Sequence, residues 1–177
     1  TFSGHKIGGP QGIGCAYIAG DLQADFAPLT LGGGQQNGLR SGTLPLPLIM
    51  GLSKAFELFS DGKNSMSHRK SLAQLRDNFW FALKQKIPEL QLNGPHLSDR
   101  HPGNLNIYFP DVRASDLLMT LQPKLCASSG SACSSGSIEP SYVLIALYDD
   151  PKRAQSSVRL SLDITITQND LLNAVEI

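Results

Sequence analysis

The chain has 177 residues, 41% of them hydrophobic, enough for one domain or one and a fraction with a packed core. Fifteen Lys and Arg balance fifteen Asp and Glu, so nothing in the charge points to nucleic acid or an anionic membrane surface. No apolar run approaches the ~20 residues that span a bilayer, and three Cys without paired spacing argue against a disulfide framework and for a reducing compartment, by default the cytoplasm.

The first residues, Thr1-Phe-Ser-Gly-His-Lys6, carry no signal-peptide hydrophobic region and run straight into a glycine-rich turn, as though an upstream strand had been removed. Residues 13–18 are a short apolar run that predicts a buried strand containing Cys15. Residues 32–43 read as a loop. Residues 44–59 predict a helix, with Pro45 and Pro47 confined to its start. From about 65 to 87, Leu72, Leu75, Phe79, Leu83 and Ile87 recur at helical spacing and predict a long helix connecting two domains. In residues 104–109, Leu105, Ile107 and Phe109 share one strand face. A helix over about 115–122, an apolar stub at Leu125 and Cys126, a loop, and a helix from Pro140 to about Tyr148 follow. In the last strand Val158, Leu160 and Leu162 alternate with Ser157, Arg159 and Ser161. Thr167 with Asp170 three residues on reads as a helix N-cap, and the helix it starts reaches Ile177 without a glycine cap. These two ends predict an internal piece of a larger α/β protein.

Four stretches carry chemistry. Ser128-Ser-Gly-Ser-Ala-Cys133-Ser-Ser-Gly-Ser137 holds a thiol among small polar residues, which lose backbone entropy on ordering and gain little burial. It reads either as a mobile loop with a reactive thiol or as a linker with an incidental one, whereas Cys15 and Cys126, in apolar runs, are expected in the core. Ser3-Gly-His-Lys6 before Ile-Gly-Gly-Pro offers an amine fixed by a tight turn beside a hydroxyl and an imidazole. That suits a Schiff-base lysine with phosphate donors at Ser3, Gly4 and His5, or simply an exposed loop lysine. The run from Gly32 to Thr43 contains Arg40 and Thr43 among glycines that leave N–H groups free. It is neither a Walker A motif nor a Rossmann fingerprint, and a surface loop reads the same way. Arg159 stands opposite the apolar face of its strand, free to hold a carboxylate in a bidentate fork or to face solvent. His68, His96 and His101 show no metal-ligand spacing, and no metal is expected.

Together these stretches resemble the cysteine desulfurases of the NifS/IscS type, within the class V aminotransferase family of pyridoxal 5'-phosphate (PLP) enzymes. Ser-Gly-His-Lys-Ile-x-Gly-Pro-x-Gly-Ile-Gly, Gly-Gly-Gly-Gln-x-x-Gly-Leu-Arg-Ser-Gly-Thr-Leu-Pro, Ser-Ser-Gly-Ser-Ala-Cys-Ser-Ser, the segment at Glu139-Pro-Ser-Tyr-Val-Leu144 and the Ser-Val-Arg-Leu-Ser strand occur in the family's order. The resemblance covers essentially the whole chain. Gly8 departs from it, standing where a larger, often aromatic residue is common.

The resemblance implies the C-terminal part of a fold type I PLP-dependent transferase. Residues 1–64 would be a remnant of the PLP-binding large domain, 65–87 a connecting helix, and 88–177 the small α/β domain carrying the cysteine loop. It implies that Lys6 holds PLP covalently, that Ser3, Gly4 and His5 contact its phosphate, and that Thr43 reaches the partner subunit's cofactor in a homodimer. Arg159 would clamp the carboxylate of L-cysteine. Cys133 would take the sulfur as a persulfide and hand it to a scaffold or carrier protein for iron–sulfur cluster or thio-cofactor assembly. The piece alone is expected to be inactive, with further cofactor contacts upstream. A non-enzymatic remnant and a class V relative such as a selenocysteine lyase are the alternatives.

Overall fold

The structure, a computed structural model, describes residues 1–129, 140–163 and 165–177, with the backbone alone at 62–65. It divides into two compact units, Thr1–Ser65 and Met66–Ile177.

The first unit is a ribbon, a loop and a helix. β1 (Phe2–Ser3) pairs antiparallel with β2 (Gly14–Cys15), placing Phe2 opposite Cys15 and Ser3 opposite Gly14. Between them a 3-10 turn spans Gly4–Ile7 and ends on Gly8, whose φ of 82° is the left-handed conformation that glycine adopts without penalty. The helix α1 (Leu46–Ser60) starts at the two prolines, where a missing N–H costs no helical bond. The expected buried strand over 13–18 is corrected: only Gly14 and Cys15 pair, and both are exposed. The ribbon is bonded on one side only among the described residues, so Cys15 has no core to enter.

The second unit is a three-stranded antiparallel sheet with helices. β3 (Gln91–Leu92), β4 (Asn104–Tyr108) and β5 (Ser157–Ser161) lie in that order, with Leu105 opposite Leu160 and Ile107 opposite Val158. Period-two alternation puts these four apolar residues on one face, and Leu105 and Ile107 are fully buried there. The helix α2 (Gly62–Lys86) supplies Leu72, Phe79, Trp80 and Leu83 to the core. α3 (Ala114–Leu121) adds Ala114, and α6 (Gln168–Glu176) adds Leu171. α6 opens on the capping box at Thr167 and Asp170. The two remaining helices are α4 (Tyr142–Tyr148) and the short α5 (Pro151–Gln155), which the hydrophobic pattern did not predict.

Cys126 is a second correction, since it is exposed. In the segment from Leu125 to Ala127, Leu125 and Ala127 pack against the core while Cys126 between them stays exposed. Ile87, expected on the buried face of α2, lies just past that helix and is 40% exposed.

Candidate functional site

Lys6 belongs to a turn that close approach fixes in place. Gly4 donates its N–H to the carbonyl of Ile13 at 2.8 Å, and Gly9 donates to the carbonyl of Gly4 at 2.9 Å. A Cβ on Gly4 would meet Ile13 O at 3.0 Å and Leu52 Cδ1 at 3.2 Å, and one on Gly9 would meet Ala55 Cβ at 3.3 Å. Pro10 fills the notch that Gly51 leaves in α1. The turn is thus seated on the Gly51, Leu52 and Ala55 face of α1. Ser3 is half-buried, Gly4 buried, and His5 and Lys6 exposed, so one turn presents hydroxyl, imidazole and amine together.

The loop from Gly32 to Thr43 is tied to itself. Buried Ser41 donates its hydroxyl to the carbonyl of Gly33 at 2.7 Å, and Gly42 N–H donates to Oε1 of Gln35 at 3.2 Å. Gln36 and Asn37 both hold positive φ, 54° and 56°, a conformation that costs a non-glycine residue energy and persists only when surroundings enforce it. Arg40 is turned onto the Ser41 carbonyl, and Thr43 is exposed.

In the second unit Arg159 occupies the middle of β5. On one side it pairs with Asn106 of β4; on the other its N–H donates to the carbonyl of Ser128 at 2.7 Å and its carbonyl accepts from Ser128 N–H at 3.1 Å. Its side chain shares a face with Ser157, Ser161, Asn104, Asn106 and Tyr108, opposite the apolar face. Its Nε is buried with no hydrogen-bond partner among the described residues. A buried donor left open is costly and calls for an explanation. Cys133 lies outside the described residues, five positions after the Ser128 that pairs with Arg159.

Sequence reasoning missed the polar network beside Arg159. Asn93 is 2% exposed and donates from Nδ2 to Asn106 Oδ1 and to Ser157 Oγ, each at 2.8 Å. Arg153 donates from Nε to Asn93 Oδ1 at 2.7 Å, and its guanidinium lies over the rings of Tyr148 and Tyr108, at 4.0 and 5.2 Å from their centroids. One signal was present: Asn is a poor strand former, and β4 carries two of them on its polar face. Among the described residues no cluster of His, Cys, Asp or Glu could hold a metal ion, and no helix is long and apolar enough to cross a membrane.

A lysine in a glycine-held turn, a glycine-rich loop and an arginine with an open buried donor are what the described residues offer, and comparison gives the chain its family. The sequence profile described as "Aminotransferase class-V" matches residues 1–173, and the chain belongs to that family.

Within the family, the chain is similar to the protein named cysteine desulfurase IscS of Rickettsia bellii, 39% identical over 178 residues, which cover 100% of this chain and 42% of that one. It is 43% identical over 166 residues to the mitosomal cysteine desulfurase of Trachipleistophora hominis, covering 92% of this chain and 37% of that one. Among solved structures it superposes on a NifS-like protein with a TM-score of 0.84 and 29% identity, covering 99% of this chain and 43% of that chain. The fold is accordingly α/β, a part of the fold type I PLP-dependent transferase fold. The chain spans less than half the length of these relatives.

The family implies PLP, and the first unit's donors fit it. The cofactor's aldehyde needs an amine and its phosphate needs short, uncrowded donors. Lys6 provides the amine, and the Ser3 hydroxyl and His5 imidazole of the same turn provide donors, while the Gly4 N–H is given to the Ile13 carbonyl.

Proposed function

We propose that this chain is part of a cysteine desulfurase that converts L-cysteine to L-alanine and places the sulfur on Cys133 as a persulfide. The observation that carries this reading is 39% identity to a cysteine desulfurase across the whole chain. The unpartnered, buried Nε of Arg159 supports it, because that donor and the outer guanidinium nitrogens suit a carboxylate held side-on.

When bound at Lys6, PLP supplies an electron sink for the bonds around the substrate α carbon. The protein's own residues do the rest. Ser3 and His5 hold the phosphate, and Thr43 reaches the cofactor of a second subunit, so the working unit is a homodimer. Arg159 fixes the substrate carboxylate. Lys6, free once substrate has bound, moves protons at the substrate carbon. Cys133, as thiolate, attacks the substrate sulfur; the carbon–sulfur bond breaks, a persulfide stays on Cys133, and alanine leaves. Thiolate is the competent form of the nucleophile. An acceptor protein then takes the sulfur for iron–sulfur cluster or thio-cofactor assembly, in a reducing compartment, for which the cytoplasm is the default that the unpaired cysteine spacing supports. In this reading residues 1–64 are the large-domain part, 65–87 the connecting helix and 88–177 the small domain.

The test is substrate turnover by the full-length protein with PLP and a thiol reductant. Equal amounts of alanine and sulfide from L-cysteine are expected. Release of alanine from L-selenocysteine with none from L-cysteine would make it a selenocysteine lyase, and formation of a keto acid would make it a transaminase.

A further inference from the structure

We propose that Asn93 and Asn106 form a positioning pair that keeps Arg159 open for the substrate carboxylate. This rests on the reading of Arg159 as the carboxylate clamp. Asn106 is the residue directly opposite Arg159 across the β4–β5 ladder, and directly opposite residues have side chains within reach of each other. An asparagine there offers a carboxamide oxygen that a neighbouring guanidinium would ordinarily take. That oxygen is instead engaged by Asn93 Nδ2 at 2.8 Å. The other acceptors of the network are engaged as well. Asn93 Oδ1 takes the Nε of Arg153 at 2.7 Å, and Ser157 Oγ accepts from Asn93 while donating to the Arg153 carbonyl at 2.6 Å.

The two arginines of this face therefore end in opposite states. Arg153 is engaged at all three of its nitrogens: besides Asn93 it donates to Gln91 Oε1 at 3.0 Å and the Leu92 carbonyl at 3.4 Å, and it lies against two tyrosine rings. Arg159, its backbone held on both edges, keeps a buried Nε without a partner among the described residues. A charge-carrying donor withheld from internal acceptors is preorganised for an incoming anion. Asn93, immobilised by Arg153, engages the acceptor directly across the ladder.

The experiment uses the full-length holoprotein and reads the KM for L-cysteine, kcat, the cofactor absorbance, and inhibition by cysteamine, which lacks the carboxylate. Asn106→Asp places an internal carboxylate opposite Arg159. The KM should rise by roughly tenfold or more, with kcat changing much less and cysteamine inhibition and absorbance as in the parent. Asn93→Ser releases the Asn106 oxygen and should raise the KM several-fold. Adding Asn106→Leu to Asn93→Ser removes that acceptor and should bring the KM back down, whereas a merely structural role predicts a further loss. Should Asn106→Asp fail to fold, the Asn93→Ser pair decides. Arg159→Ala is the control. A parent-like KM in Arg159→Ala would sink the clamp reading and this inference with it. A raised KM there beside a parent-like Asn106→Asp, or a double variant worse than Asn93→Ser, would overturn the positioning role alone.

Discussion

Gly4 and Gly9 approach their neighbours so closely that a methyl group on either would press against backbone or helix, and this closeness holds the turn carrying Lys6. A freely moving surface lysine is a poor covalent anchor, because each encounter with the cofactor would have to order it again. Held in a turn with Ser3 and His5, the amine would meet the cofactor's aldehyde with donors for its phosphate in the same turn. Borohydride reduction of the full-length protein with PLP, followed by peptide mapping, should therefore place one stoichiometric label on Lys6. The 177-residue chain by itself, less than half the length of its relatives, should take up little. A label on another lysine of the full-length protein would refute the assignment.

At the scale of elements, local chemistry sets boundaries and tertiary contacts set burial. α6 begins where Thr167 Oγ1 accepts the Asp170 N–H at 3.2 Å while the Asp170 carboxylate takes the Thr167 N–H at 2.9 Å and hydroxyl at 2.6 Å. The Thr167 hydroxyl, and after it the backbone N–H, hold the Asp170 carboxyl below its ordinary range. The acid is thus stronger folded than unfolded. Its contribution to stability is complete above the ordinary aspartate value of about 3.9 and fades as pH falls through the lower folded value. Thr167→Ala should cost about 1 kcal/mol in chemical denaturation at neutral pH and should flatten this acid dependence. An unchanged denaturation midpoint would show that α6 is held by its packing against the core and its contacts with Lys86, without the cap.

That cap was legible in the sequence, as were the helical spacing of α2 and the alternation of β4 and β5, because each depends on residues a few positions apart. The Asp150 cap followed by Pro151 also announces α5, although five residues are too few for a periodic pattern. What escaped depends on distant partners. Arg76 is 2% exposed on α2, where its guanidinium donates to the carbonyls of Leu97 at 2.8 Å and His101 at 3.1 Å. Nothing near position 76 announces those partners. Cys15 and Cys126 were misplaced for the same reason: an apolar neighbourhood in sequence does not say which side of an extended segment meets the core. The lysine turn, the glycine loop and Arg159 were legible as motifs, but the Asn93 network exists only once β3, β4 and β5 are side by side.

At the scale of the whole molecule, the first unit buries little of its apolar surface. Ala55 is its one buried hydrophobic side chain among the described residues, while Tyr17, Leu29 and Leu31 are 88, 98 and 85% exposed. Exposed apolar area of this kind marks surface that other protein covers, which agrees with a chain spanning 42% of a relative's length. In the proposed reaction the steps are separable, since binding PLP would depend on Lys6 and taking the sulfur on Cys133. The most direct measurement is alanine formation from L-cysteine by the full-length protein and its Cys133→Ala variant, alongside the cofactor absorbance of each. The variant should keep the parent's absorbance, carry no persulfide and form no alanine; turnover at the parent rate would contradict Cys133 as the sulfur acceptor and the desulfurase mechanism built on it.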